Sequence, residues 1–285
     1  LVGWSGGPVL AQVVPASIRT GCGTKGAVKV SSGEQTLIVH HSPKSPVAEA
    51  YRTLRTNIQF AALGQKQQVL LITSAGPDEG KTTTLANLGV ALAQSGSKVL
   101  IINADLRRPA LHRMLGRHER IGLTNVLLGT VPLENAIQST EVGNLYYLGA
   151  GPLPPNPSEL LGSAAMEQLI GRLRTMYDMV LFDCPPVVAI TDAAVLAPRV
   201  DGVLLVVRAG HTDRQAARQA RINLQRVGAR ILGVVLNDVE LRSGRYGYYY
   251  YYYYRDSQRS AGDTGASPLQ EVAAASAARE DLEQK

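Results

Sequence analysis

Apolar residues in this chain fall into short unbroken runs, separated by longer stretches that are apolar at every third or fourth position. The runs VLLIT (69–73), KVLIIN (98–103), NLYYLGAG (144–151), MVLFD (179–183), GVLLVVRA (202–209) and ILGVVLN (231–237) predict strands buried on both faces. Between them, helices are expected over 82–96, 158–176, a short stretch at 191–197, and 213–228. An amphipathic helix precedes the first run over about 45–63: Ala48, Leu54, Ile58 and Ala61/Ala62 fall near one face, and Glu49, Arg52 and Arg55 on another. Strands alternating with helices imply right-handed crossovers and a mainly parallel sheet, with ligands at the C-terminal ends of the strands. Residues 37–241 are therefore expected to form one doubly wound α/β domain. Residues 1–36, rich in Gly, Ser and small side chains, read as a linker, and 242–285 as a flexible tail ending in an Ala-rich polar stretch of disordered composition.

The first strand-to-helix junction reads SAGPDEGKTTT, which fits a phosphate-binding loop of the form A-x-x-x-x-G-K-T. Ala75 takes the place of the commoner Gly, and Gly76, Pro77, Asp78, Glu79, Gly80, Lys81, Thr82 and Thr83 follow. Backbone N–H groups of such a loop and of the helix start converge on a β-phosphate, Lys81 reaches β and γ oxygens, and Thr82 ligates Mg²⁺. Two other strand ends supply carboxylates: Asp105 just after KVLIIN, and Asp183 closing MVLFD. Either aspartate alone reads more often as a turn residue or helix cap than as a metal ligand. With Lys81 the pair acquires a purpose, because a parallel sheet brings all three strand ends to one edge.

Composition narrows the picture. Of 285 residues 45% are hydrophobic, enough for one large α/β domain or two small ones. Two Phe and one Trp leave the core to Val, Leu, Ile and Ala. Cys22 and Cys184 have no CxxC or Cys/His spacing, which argues against a zinc site or disulfide framework and for a reducing compartment. The net charge of +6 suits an anionic membrane surface or nucleotide phosphates, but no long Lys/Arg run points to nucleic acid. No stretch has the roughly 18 apolar residues of a membrane span, and no signal peptide is evident. The chain begins with Leu rather than Met, as a piece of a longer protein would, and a membrane span is a candidate for what precedes it.

Near its other end, RYGYYYYYYYRDSQR (245–259) holds Tyr246, Tyr248, Tyr249, Tyr250, Tyr251, Tyr252, Tyr253 and Tyr254, against four tyrosines elsewhere. An unbroken run satisfies neither strand nor helix periodicity. Either the rings meet a partner surface or the hydroxyls themselves are the purpose.

Taken together, these motifs resemble the bacterial tyrosine autokinases, or BY-kinases, which control polymerisation and export of capsular and extracellular polysaccharide. SAGPDEGKTT is similar to their Walker A motif, IINADLRRP to an additional A′ motif and VLFDCPP to Walker B. SPKSPVAEAYRTLRTNI resembles the lead-in helix, GPLPPNPSELL a family loop, and PVLAQVVP the segment after the second membrane span of an attached activator domain. The resemblance implies a ParA/MinD-like P-loop NTPase fold and transfer of the ATP γ-phosphoryl, with Mg²⁺, to the tail tyrosines of a neighbouring subunit. It further implies a ring-like homo-oligomer with E-x-x-R-x-x-R contacts, matched by Glu49, Arg52 and Arg55. A transmembrane activator N-terminal in the same chain, a tyrosine phosphatase and a place at the cytoplasmic face of the bacterial inner membrane complete what it implies. Lys81, Asp105 and Asp183 would be catalytic, and Thr82, Asp105 and Asp183 would hold the metal.

One departure stands out: the A′ motif usually reads D-x-D, whereas this chain has Asn103, Ala104 and Asp105. An amide cannot take a proton as a carboxylate does, so Asp105 inherits the base or metal role and Asn103 becomes a hydrogen-bonding neighbour. Arg107 and Arg108 are candidates for contacting phosphate or acidic groups. Two rival functions share these motifs. A ParA/MinD-type ATPase would carry a second lysine at the position of Gly76 and has no use for a tyrosine tail. A nucleotide-binding scaffold without catalysis would show no phosphotyrosine.

Overall fold

A computed structural model describes residues 9–12, 37–61 and 67–239, and every structural statement below refers to these. They belong to a compact unit within Leu1–Glu240. The tyrosine run, Cys22 and Ala62 lie outside the described residues.

In chain order the elements are β1 (Val9–Gln12), α1 (Ile38–His41), α2 (Pro46–Ala61), β2 (Val69–Ser74), α3 (Lys81–Gln94), β3 (Val99–Asn103), α4 (Leu111–Leu115), α5 (Leu123–Leu127) and α6 (Leu133–Ala136). There follow β4 (Ile137–Ser139), β5 (Leu145–Leu148), α7 (Pro157–Leu161), α8 (Ala164–Met176) and β6 (Met179–Asp183). The last are α9 (Asp192–Leu196), a 3₁₀ turn (Ala197–Arg199), β7 (Gly202–Arg208), α10 (Arg214–Arg226) and β8 (Ile231–Asn237). The strands form one sheet in the order β1-β8-β7-β2-β6-β3-β5-β4, parallel throughout except for β4 against β5. The expected doubly wound α/β architecture is present.

The unbroken apolar runs have a simple cause: both faces of the central strands are covered. Val69 and Leu71 of β2, with Leu100, Ile102, Val180 and Phe182, pack toward α8 and α10 through Ile170, Leu173 and Leu224. Leu70 and Ile72, with Ile101, Leu181 and Leu204, pack toward α2 and α3 through Tyr51, Leu54, Leu85 and Leu88. Each fully buried Leu, Ile or Val contributes about 1.5–3 kcal/mol, so a polar residue at any of these positions would be costly. Helix α3 lies close to the sheet because Gly89 has no side chain; a Cβ there would come within 3.0 Å of Ile101 Cγ2 and 3.3 Å of Leu145 Cδ1.

Three expectations need correction. Val9–Gln12, expected in a linker, is a strand paired in parallel with β8, and Asn57 of α2 donates to the Leu10 carbonyl. The single helix expected over 158–176 is two, α7 and α8. Gly162 and Ser163 separate them, Ser163 taking an extended conformation and accepting the Met166 N–H as the cap of α8. Within α2, Ala48, Leu54 and Ile58 are buried as the periodicity predicts, but Ala61 is only half-buried and Tyr51 joins the inner face.

Candidate functional site

Strand β6 lies between β2 and β3, so the C-terminal ends of these three strands are neighbours at one edge of the sheet. The loop after β2, the end of β6 and the residues after β3 therefore converge, and with them Lys81, Asp183 and Asp105.

The β2–α3 loop has the backbone that a phosphate cradle requires. Asp78 and Gly80 have φ of 56° and 90°, which folds the chain back on itself before α3 begins. Gly80 is required twice over: its φ is strained for other residues, and a Cβ would lie 2.0 Å from Asn237 Nδ2. Asn237, at the end of β8, donates to the Glu79 carbonyl at 3.0 Å. The buried Glu79 carboxylate braces the loop from inside, accepting the Ala75 N–H at 2.9 Å and the Thr212 hydroxyl at 2.7 Å. The first N–H groups of α3 have no acceptor within their own helix, and they open this cradle with a positive helix end.

Lys81 Nζ lies 3.5 Å from Asp105 Oδ2 and 3.5 Å from Asp183 Oδ1. The Thr82 hydroxyl donates to Asp183 Oδ2 at 2.8 Å. Burial works against the charge on Lys81, but the carboxylates of Asp183 and Asp105 outweigh it and hold its pKa above the ordinary lysine value. Burial also pushes the Asp183 carboxyl up, aided by the Asp105 charge and partly offset by Lys81 and Thr82. Two carboxylates around one ammonium leave an excess of negative charge, and a hydroxyl stands beside one of them. That donor set fits a hard divalent cation held by one or two carboxylates, a hydroxyl and ligand phosphates. Among the described residues no three His, Cys, Asp or Glu side chains form a cage that would hold a metal without such a ligand.

Asp105 also accepts the N–H groups of Arg107 at 3.3 Å and Arg108 at 2.9 Å, which fixes the turn after β3. Arg107 turns to a partner absent from the sequence reading: its Nε and Nη2 donate to the two carboxylate oxygens of buried Asp192 at 2.8 and 3.0 Å. Ser158 of α7 donates to the same carboxylate, so Asp192 ties the A′ turn to the N-terminus of α9 and to the GPLPPNPSELL loop. Asn103 sits opposite Asp183 in the β3–β6 ladder and is buried beside Glu119, another residue that had no sequence signal.

Away from this edge, Glu49 and Arg52 pair with each other within α2, and Arg55 donates to the Ala91 carbonyl of α3 at 2.9 Å. Buried Cys184, next to Asp183, is a free thiol. Among the described residues no helix is long and apolar enough to cross a membrane. The tail tyrosines Tyr246 and Tyr248 to Tyr254 lie outside the described residues.

Residues 69–226 match the AAA domain family. The tyrosine-protein kinase YwqD of Bacillus subtilis is 43% identical over 216 residues, covering 75% of this chain and 91% of YwqD. The kinase domain of Escherichia coli tyrosine kinase ETK superposes with a TM-score of 0.74 at 33% identity, over 84% of this chain and 93% of that one. The septum site-determining protein MinD of Pyrococcus horikoshii, complexed with Mg-ADP, superposes with a TM-score of 0.52 at 31% identity, over 63% of this chain and 72% of that one.

Proposed function

The chain belongs to the bacterial tyrosine-protein kinases, built on a P-loop nucleotide-binding domain, and from that premise we propose that it transfers the γ-phosphoryl of ATP to its own C-terminal tyrosines. The observation that carries this reading is the meeting of Lys81 with Asp105 and Asp183 at 3.5 Å, one edge of the sheet collecting the groups of a phosphoryl-transfer site.

Residues Ala75 to Thr83 cradle the phosphates, and Lys81 neutralises charge on the β and γ oxygens. Thr82, Asp105 and Asp183 would hold the metal. When bound, Mg²⁺ would supply positive charge against the negative charge of the phosphates. Asp105 is the base: the tyrosine proton passes to its carboxylate as the hydroxyl oxygen bonds to the γ-phosphorus, and the bond to the β-phosphate oxygen breaks, releasing ADP. The acceptors are Tyr246 and Tyr248 to Tyr254 of a neighbouring subunit, within a homo-oligomer whose contacts include Glu49, Arg52 and Arg55. Each phosphate adds nearly two negative charges to the tail and pushes packed subunits apart. The setting is polysaccharide export at the cytoplasmic face of the membrane, with a transmembrane activator preceding residue 1 and a phosphatase resetting the tail.

Incubation of the purified chain with ATP and Mg²⁺, followed by phosphosite mapping, tests this reading beside Lys81→Met and a variant truncated after Arg245. Phosphate on residues 246–254, lost in Lys81→Met and in the truncated form, is the expected result. Bound nucleotide without any phosphotyrosine, even with the activator segment restored, overturns autophosphorylation and leaves a nucleotide-driven scaffold. The MinD-type alternative predicts ATP hydrolysis with no phosphate on protein, and Gly76 in place of a second loop lysine speaks against it.

A further inference from the structure

Asn103 closes β3 in register with Asp183 and is completely buried. Its Nδ2 donates to Glu119 Oε1 at 3.1 Å, whereas its Oδ1, equally buried, has no hydrogen-bond partner. A carboxylate only accepts, so Glu119 fixes the amide with nitrogen toward itself and oxygen away. Glu119 is in turn held by its surroundings. The Tyr147 hydroxyl donates to Oε1, the Ala150 N–H donates to Oε2 at 2.7 Å, and His112 Nδ1 lies 3.2 Å from Oε1. The Glu119 carboxylate is half-buried, and its partners surround the end of the strand that bears the catalytic edge. Buried acceptors are seldom left unpaired, so an orphan oxygen two residues before Asp105 marks a position that a bound water or hydroxyl is to fill.

We propose that Glu119 is a positioning residue of the phosphotransfer site. It supplies the negative charge that position 103 lacks, and it holds Asn103 Oδ1 as an acceptor toward the loaded metal–nucleotide. The proposal rests on the nucleotide and Mg²⁺ reading above. Asn103 and Glu119 then act as one unit, an amide and a carboxylate sharing a hydrogen bond, and either alone is the wrong partner for its own kind. Asn103→Asp sets two carboxylates against each other across a contact of 3.1 Å. Glu119→Gln leaves two amides, removes the charge and frees Asn103 to turn over. The exchange Asn103→Asp with Glu119→Gln again has one of each, in reversed order.

The test is a Mg²⁺ titration of fluorescent ATP-analogue binding to the wild type, both single variants and the exchange, with the melting temperature of each nucleotide-free protein measured alongside. Each single variant is expected to raise the Mg²⁺ midpoint about tenfold, as losses behind a metal's own ligands do, and the exchange to return it to within about threefold of wild type. Glu119→Asp retains the charge but shortens the side chain, so it is expected to raise the midpoint too, and it serves where a single variant does not fold. Three results overturn the proposal: Asn103→Asp alone leaving or lowering the midpoint, single effects that simply add in the exchange, or melting temperatures that fall while the midpoints stay fixed. The titration does not depend on phosphotyrosine. An exchange pattern without phosphotyrosine would therefore remove the kinase mechanism and leave the Asn103–Glu119 unit standing.

Discussion

Arg107 shows how a single side chain can join parts of the chain that sequence cannot connect. Its guanidinium meets the two oxygens of Asp192, 85 residues further on, and Asp192 is fully buried. Arg107→Ala leaves that carboxylate with the Ser158 hydroxyl as its remaining hydrogen-bond donor from this cluster, and loosens the turn whose N–H groups hold Asp105. We expect a loss of about 1–3 kcal/mol in denaturant unfolding, with Arg107→Lys recovering only part because a lysine cannot match both oxygens. Lys81, Thr82, Asp105 and Asp183 were legible in the sequence for a physical reason: each follows directly on a strand end or a helix start, and a parallel sheet gathers such points. Glu119 carries no comparable signal, and Asp192 and Asn237, although one opens a helix and the other closes a strand, lie outside the three motifs. Their partners are met only in the tertiary fold, so single-sequence periodicity cannot reveal them.

At the scale of elements, a charged tie outside the site lies at the opposite end of β2. Asp201 accepts the N–H groups of Gln68 and Val69 at 2.9 and 2.8 Å and both terminal nitrogens of Arg174, so it joins α8 to the sheet before β7 begins. Burial alone would raise its pKa, but the Arg174 hydrogen bonds, the two backbone donors and the Arg174 charge outweigh it and hold the carboxyl below its ordinary 3.8. A carboxyl whose pKa is depressed by folding stabilises the folded state above its unfolded value, and this is lost as pH falls through the folded one. Asp201→Asn is therefore expected to cost about 1.5–3 kcal/mol at neutral pH. The gap from wild type should close below about pH 3.8, as urea titrations across the acid range would show. The long buried runs gave their strands away because both faces are apolar. The short elements α1, α4, α5, α6 and β4 were not legible: at three to five residues each they are too brief to show a period, and β4 is half-buried at best.

For the whole molecule, ligand binding and stability are linked. A nucleotide that binds only the folded state at a hundredfold excess over its Kd adds about 2.7 kcal/mol, which for a domain of this size raises the melting temperature by roughly 5–10 °C. ATP with Mg²⁺ is expected to give that shift in a thermal melt, ATP with a chelator much less, and Lys81→Met almost none. An undiminished shift in Lys81→Met would overturn the role of Lys81 as a phosphate contact.

The parallel pairing of β1 with β8 gives the molecule a mechanical character as well. Because the two strands run the same way, tension between the chain before Val9 and the chain after Asn237 pulls them past each other lengthwise. All the rungs of that ladder share the load at once, instead of parting one by one as in a hairpin. The grip ends at the pair of Gln12 with Leu236, and the next residue, Asn237, touches the phosphate loop at Glu79 and Gly80. A tug on one end of the domain is thus borne by a strand whose last residue rests against the loop.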